Sequence, residues 1–190
     1  MFIVSLRNTL DNMDLRRSLL TLAGALLVFL VIMGGRYFYL RPKYQSGDKP
    51  AEFSGTLITG RSFSLTELRG KYVLLDFWGS WCGPCRKENP SIAALQKEMS
   101  GKSFGDAGGF EVVSIGLEKS EAFWQKAIRQ DGLDWEYHLM DPGYFTGPLA
   151  NKFGVREIPT KYFLGPDGMI LMVNPGLSEL RSYLMEKQEN

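Results

Sequence analysis

Cysteine and histidine are scarce in this chain, with two cysteines and one histidine in 190 residues. A closed Cys/His zinc shell needs about four such ligands, so one copy of the chain cannot build one. An excess of one charge is missing as well. Lys and Arg number 22 against 21 Asp and Glu, a net charge of +1, and so the basic surplus that marks a nucleic-acid partner is absent. Basic residues near the N-terminus are interspersed with Asp11, Asp14 and Asp48, too mixed to form a binding tract. The chain has no internal repeat and no low-complexity stretch, which excludes repeat architectures.

One long apolar run is present. Ser18 to Gly35 is apolar apart from Ser18 and Thr21, and as a helix rising ~1.5 Å per residue it spans about 27 Å of an ~30 Å hydrocarbon layer. Tyr37, Phe38, Tyr39 and Leu40 complete the crossing as an interfacial belt. A soluble core helix is the weaker alternative, because the run has no polar face to show to water. A cleaved signal peptide competes, but Ala23-Gly24-Ala25 falls too early in the run to end an h-region, and no cysteine is placed for a lipid anchor. An uncleaved anchor is expected within residues 1–40. Arg7, Arg16 and Arg17 on one side are matched by Arg36, Arg41 and Lys43 on the other, so charge leaves the orientation open.

Residues 41–52 read as a linker, since Pro42 to Pro50 is polar and solvated in character. Residues 53–190, about 140 in number, suffice for one domain with a real core. Thr59-Gly60-Arg61 predicts an opening hairpin and Leu65 to Arg69 a helical turn. Strand Tyr72 to Trp78 leads to a helix from Gly83 to Met99 and, after the glycine-rich loop Gly101 to Gly109, to strand Phe110 to Leu117. A helix from Ser120 to Gln130 and a strand around Trp135 to Leu139 follow, an alternation that implies parallel pairing. The end differs: Thr160 to Leu164 and Met169 to Val173 flank Gly165-Pro166-Asp167-Gly168 as an antiparallel pair before a helix from Leu177 to Glu186.

Both cysteines lie in Trp81-Cys82-Gly83-Pro84-Cys85, directly after the first long apolar strand. Two intervening residues let a disulfide close inside the first helical turn, so that a mixed disulfide on Cys82 can be resolved by Cys85. Pro84 lacks an N–H and is tolerated in a first turn, while Gly83 lets a partner chain approach closely. Cys82 should start the helix with its sulfur exposed. Moving a thiol from its usual pKa of about 8.5 to about 7 takes roughly 2 kcal/mol, and a helix N-terminus supplies roughly 0.3–2 kcal/mol. A static structural disulfide is the bland alternative.

The segment Asp76-Phe77-Trp78-Gly79-Ser80-Trp81-Cys82-Gly83-Pro84-Cys85-Arg86-Lys87-Glu88-Asn89-Pro90 resembles the active-site segment of the thioredoxin superfamily, in particular its membrane-anchored TlpA/ResA-like branch. The resemblance runs from about Phe53 to the C-terminus. It includes Val155-Arg156-Glu157-Ile158-Pro159-Thr160, similar to the family's loop with a cis-proline, and it leaves the first forty or so residues outside. It implies an α/β fold, a thioredoxin-like mixed central sheet flanked by helices, preceded here by one transmembrane helix. Pro159 would form the wall opposite the sulfurs, Ile158 would offer backbone groups to an extended substrate, and Trp81 would pack and contact substrate.

Two carboxylates are candidates for moving the proton. Cys85, Glu88, Ile92, Leu95 and Met99 recur at helical spacing, which places Glu88 on the face of the second cysteine, partly desolvated, and the position matches an acid/base glutamate of ResA-like proteins. Asp76 interrupts an apolar strand and matches the buried aspartate of thioredoxin, whose accompanying lysine is replaced by Ser114. Pro90 should kink the active-site helix, and His138 reads as an ordinary strand residue.

Taken together, the resemblance implies a membrane-tethered thiol:disulfide oxidoreductase, single-pass, with its catalytic domain on the extracytoplasmic (periplasmic) side and no cofactor. Its partners would be client proteins with cysteine pairs, apocytochrome c among them, and a membrane thiol-electron donor. A peroxiredoxin-like thiol peroxidase shares the fold and a similar Phe63-Ser64-Leu65 opening, but the Cys-x-x-Cys pair after a tryptophan argues against it. An anchored, non-enzymatic binding module with a structural disulfide is the other alternative.

Overall fold

The computed structural model describes the backbone of residues 2–189 and the side chains of residues 16–188. One unit ends at Arg41 and a second begins at Pro42.

The first unit is a single helix, α1, Phe2–Leu40. Its segment Arg16–Leu40, 25 residues, is long and apolar enough to cross a membrane and contains the expected span. Large apolar side chains such as Leu20, Leu22, Val31 and Phe38 are exposed along it.

The second unit is built on a five-stranded sheet of order β5-β4-β3-β6-β7. A small antiparallel hairpin, β1 (Ser54–Thr56) and β2 (Ser62–Ser64), precedes it, and a 3-10 turn follows at Leu65–Leu68. Strand β3 (Tyr72–Trp78) is buried at all seven positions, as a central strand covered on both faces must be. Helix α2 (Gly83–Met99) returns the chain to β4 (Phe110–Glu118), and α3 (Glu121–Asp131) leads to β5 (His138–Pro142). Both crossovers give parallel pairs, β3 with β4 and β4 with β5. Helix α4 (Pro148–Phe153) precedes β6 (Thr160–Leu164) and β7 (Ile170–Val173), which add antiparallel to the other side of β3, and α5 (Leu177–Glu189) ends the chain.

Alternation along β3 sorts the core into two layers. Val73, Leu75 and Phe77 pack with Phe53, Phe63, Ala150 and Phe153 on one face. Tyr72 and Leu74 pack on the other with Ile92, Leu95 and Met99 of α2 and Leu180 and Leu184 of α5. Farther along that second face Trp78 joins Cys82, Cys85 and Trp124. Asp76 lies on the same face, between Leu74 and Trp78, because successive strand residues alternate sides.

Several details differ from expectation. Strand β5 starts at His138 rather than near Trp135, because the His138 N–H donates to Glu136 O at 3.0 Å and turns the chain there. A 3-10 turn at Tyr144–Thr146 and the six-residue α4 occupy a stretch that carries no clear periodicity. Of residues 41–52, expected as a solvated linker, those from Pro42 onward are mostly exposed yet held to the fold. The Gly47 N–H donates to Ile170 O at 2.8 Å, the Ile170 N–H donates to Asp48 O at 2.9 Å, and the Tyr44 ring lies 5.8 Å from that of Phe153.

Candidate active site

Cys82 is the N-cap of α2, with extended backbone, and its Sγ accepts a hydrogen bond from the Cys85 N–H at 3.2 Å. Pro84 follows within the first turn, where its missing N–H costs no hydrogen bond. The two cysteines form a disulfide. Cys85 is 1% exposed and Cys82 5%, so the expectation of an openly exposed Cys82 sulfur is corrected for the oxidised state. The cover comes from across the site, where the Ile158 carbonyl oxygen lies 3.9 Å from Cys82 Sγ. A disulfide sulfur has no proton to donate, so this is a contact that a reduced Cys82 could turn into a weak hydrogen bond.

The rim remains open. Gly83 and Pro84 are exposed, and a Cβ added at Gly83 would meet nothing within 4 Å. Ile158 and Pro159 are half-buried, and the peptide between them is cis. Trp81 stands at the edge, 47% exposed, with its indole Nε1–H donating to Leu117 O at 2.8 Å. The indole passes close over Gly79, where an added Cβ would come within 2.7 Å of Nε1. Tyr144 and Phe145 pack edge-on against it at centroid distances of 5.2 and 5.9 Å. These two aromatics complete the lip beside the disulfide. Their place depends on the long connection after β5 folding back, which no local motif announces.

Behind the disulfide lie the charges. Asp76 is 2% exposed, with Oδ1 unpartnered among the described residues, and burial pushes its carboxyl up to about 7; Lys161 opposes that shift and Glu88 adds to it. Glu88 is half-buried, as expected of a partly desolvated acid, and it has an unexpected partner, since its Oε1 accepts from Lys161 Nζ at 2.5 Å. Ser114 is the β4 neighbour of Asp76, as the missing lysine implied. A lysine arrives from the other side instead, because Lys161 on β6 is the antiparallel partner of Asp76. A sequence signal for Lys161 exists: it is the one charged residue of strand Thr160–Leu164, two residues before Phe163 and so on the same face.

A second polar cluster ties α2 to α3. Arg86 donates to Asp131 through Nε at 2.5 Å and through a terminal guanidinium nitrogen at 2.7 Å, and Asn89 donates to the same carboxylate at 2.7 Å. The buried Glu118 accepts from the Ser80 N–H, pinning the loop before Cys82 to the end of β4. His138 is buried against Trp135, and burial lowers its pKa to about 4.

A family model described as thioredoxin-like matches residues 70–170, which contain the cysteine pair, Asp76, Glu88, Pro159 and Lys161. The chain belongs to the thioredoxin-like family. Curated relatives agree along most of their length. The thioredoxin-like protein YneN of Bacillus subtilis is 32% identical over 82% of this chain and 89% of its own. The thiol-disulfide oxidoreductase ResA of Bacillus anthracis is 29% identical over 80% of this chain and 81% of its own. Among solved structures, a thiol-disulfide oxidoreductase from Bacteroides fragilis superposes with a TM-score of 0.64 at 28% identity, covering 73% of this chain and 98% of its own. This thioredoxin-like protein is accordingly a thiol-disulfide oxidoreductase, an enzyme that acts on cysteine-bearing protein substrates.

Proposed function

We propose that this chain is a membrane-tethered, extracytoplasmic member of the ResA-like branch that reduces disulfides in client proteins. The observation that carries the proposal is the placement of Cys82 Sγ at the N-terminus of α2, accepting the Cys85 N–H and facing the Ile158 carbonyl. In the reduced enzyme the Cys82 thiolate attacks one sulfur of a client disulfide, and the other client sulfur leaves as a thiolate. Cys85 then gives up its proton and attacks Cys82 Sγ. The enzyme disulfide forms, the second client thiolate leaves, and two electrons have passed to the client. Reversal of these steps would oxidise a client.

Roles for the other residues follow from their positions. Asp76 and Glu88 are the candidate acceptors for the Cys85 proton. Trp81, Gly83 and Pro84 on one side and Ile158 and Pro159 on the other form the client-binding lip, with backbone groups available to an extended chain. We assign residues 1–40 to the anchoring segment, 41–52 to the connection and 53–190 to the catalytic domain. The apolar segment Arg16–Leu40 supports the tether. The ResA-like resemblance supports an extracytoplasmic domain, an apocytochrome c client whose haem-attachment cysteines need reduction, and a membrane thiol donor that returns electrons to Cys82 and Cys85.

Accessibility labelling tests this placement. In intact cells, an impermeant thiol reagent should reach a cysteine introduced at Lys49, an exposed position in the connection, and the protein should stay with membranes through a high-salt wash. Labelling only after lysis would place the domain in the cytoplasm and remove the cytochrome reading.

A further inference from the structure

Lys161 plays no part in the exchange steps above, yet it is 6% exposed. Lysine is rarely buried unless it is paired. Its Nζ pairs with Glu88 at 2.5 Å, and the two side chains are 7% and 26% exposed. Glu88 therefore reaches toward solvent while Lys161 lies inside. In the sheet Lys161 is the direct partner of Asp76, so the two side chains leave the same face with Cβ atoms about 4.5–5.5 Å apart. That is the face on which α2 packs, bringing Cys85 and Glu88 over it.

Register extends this pair into a row. Across β5, β4, β3 and β6 stand His138, Ser114, Asp76 and Lys161, all buried. Among the described residues His138 Nδ1, Ser114 Oγ and Asp76 Oδ1 have no hydrogen-bond partner. Ser114 carries no charge, and burial keeps His138 neutral near pH 7. The charges that face Asp76 are thus Lys161 from β6 and Glu88 from α2, and Cys85 of α2 packs on the same face beside Trp78.

We propose that Lys161 is a positioning residue for the exchange reaction: it holds Glu88 at the rim in an ion pair and sets the charge balance at Asp76, so that Asp76 receives the Cys85 proton. The proposal rests on the exchange chemistry given under Proposed function. Burial alone would keep Asp76 protonated and unable to accept. The Lys161 cation pulls the carboxyl back toward ionisation, and Glu88 pushes the other way. The two partners of one ion pair therefore act on Asp76 with opposite signs, which gives a signature that general damage to the fold would not reproduce.

The test uses the full chain in detergent micelles, reduced and mixed with less than one equivalent of dithiobis(nitrobenzoate). Attack by Cys82 releases the first coloured thiolate, and resolution by Cys85 releases the second. The pH midpoint of the second phase reports the state of the proton acceptor. Lys161→Met should raise that midpoint by about one pH unit, the scale of removing a nearby opposite charge. Glu88→Gln should lower it, the double variant should return it toward wild type, and Lys161→Arg should keep it. Midpoints that do not move, or that move in the same direction in Lys161→Met and Glu88→Gln, would overturn the assignment of Lys161. A wild-type enzyme that releases no second thiolate would instead overturn the exchange reading beneath it.

Discussion

The backbone N–H of Cys85 donates to Cys82 Sγ at 3.2 Å, so a donor in the first turn of α2 points at the sulfur of the residue that caps it. Upon reduction the same donor, with the partial positive charge of the helix N-terminus, favours a thiolate on Cys82. Cys85 lies one turn inside and is 1% exposed. Reaction of the reduced protein with limiting iodoacetamide should therefore label Cys82 in large preference to Cys85, read by peptide mass spectrometry. Equal labelling would remove the helix-terminus argument.

Stability against pH should expose the buried row. Asp76 rises from 3.8 to about 7 on folding, so the folded state binds the extra proton, and stability falls as pH rises from about 4 to 7. His138 falls from 6.5 to about 4, so the unfolded state binds the extra proton, and stability falls as pH drops through that window. At ~1.36 kcal/mol per unit the two effects are about 4 and about 3 kcal/mol, opposite in sign. The melting temperature of the oxidised wild type should change little between pH 4.5 and 6.5. Asp76→Asn should make it climb with pH, and His138→Asn should make it decline. Parallel profiles for all three proteins would show that neither group titrates as described.

Trp81 should matter for clients more than for the fold. It is 47% exposed and sits beside Tyr144 and Phe145 at the open edge of the disulfide. Truncating a binding aromatic costs roughly 1–2 kcal/mol, so Trp81→Ala should lower kcat/KM for insulin reduction about tenfold, mainly through KM. A small disulfide that does not touch the lip should be reduced at nearly the wild-type rate. An equal loss on both substrates would mean that Trp81 supports the cysteine loop itself.

Local patterns carried much of this molecule, and long-range register carried the rest. Helix α2, Gly83–Met99, was legible near its observed bounds, because a strand, a cysteine turn with Pro84 and an amphipathic stretch follow in order. The parallel-then-antiparallel sheet was legible from the spacing of its helices and from Gly165-Pro166-Asp167-Gly168, in which Gly168 adopts φ 76°. Asp76 and Glu88 could be named because each interrupts an apolar pattern next to the cysteines. The role of Lys161 is not local, since it comes from pairing with Asp76, 85 positions earlier in the chain. Tyr144 and Phe145 escaped for a similar reason. They sit in a short 3-10 turn whose position is set by the fold around it.

The central claim is that Cys82 takes the client and Cys85 releases it, and a trapping experiment reads this most directly. Cys85→Ser leaves the attacking thiol at the helix N-terminus and removes the thiol that resolves the mixed disulfide. Expressed as the full chain in cells and quenched with acid, this variant should accumulate dithiothreitol-sensitive adducts joined through Cys82, while Cys82→Ser and the double variant should not. Adducts found on Cys85 in Cys82→Ser, with none on Cys82 in Cys85→Ser, would contradict the account.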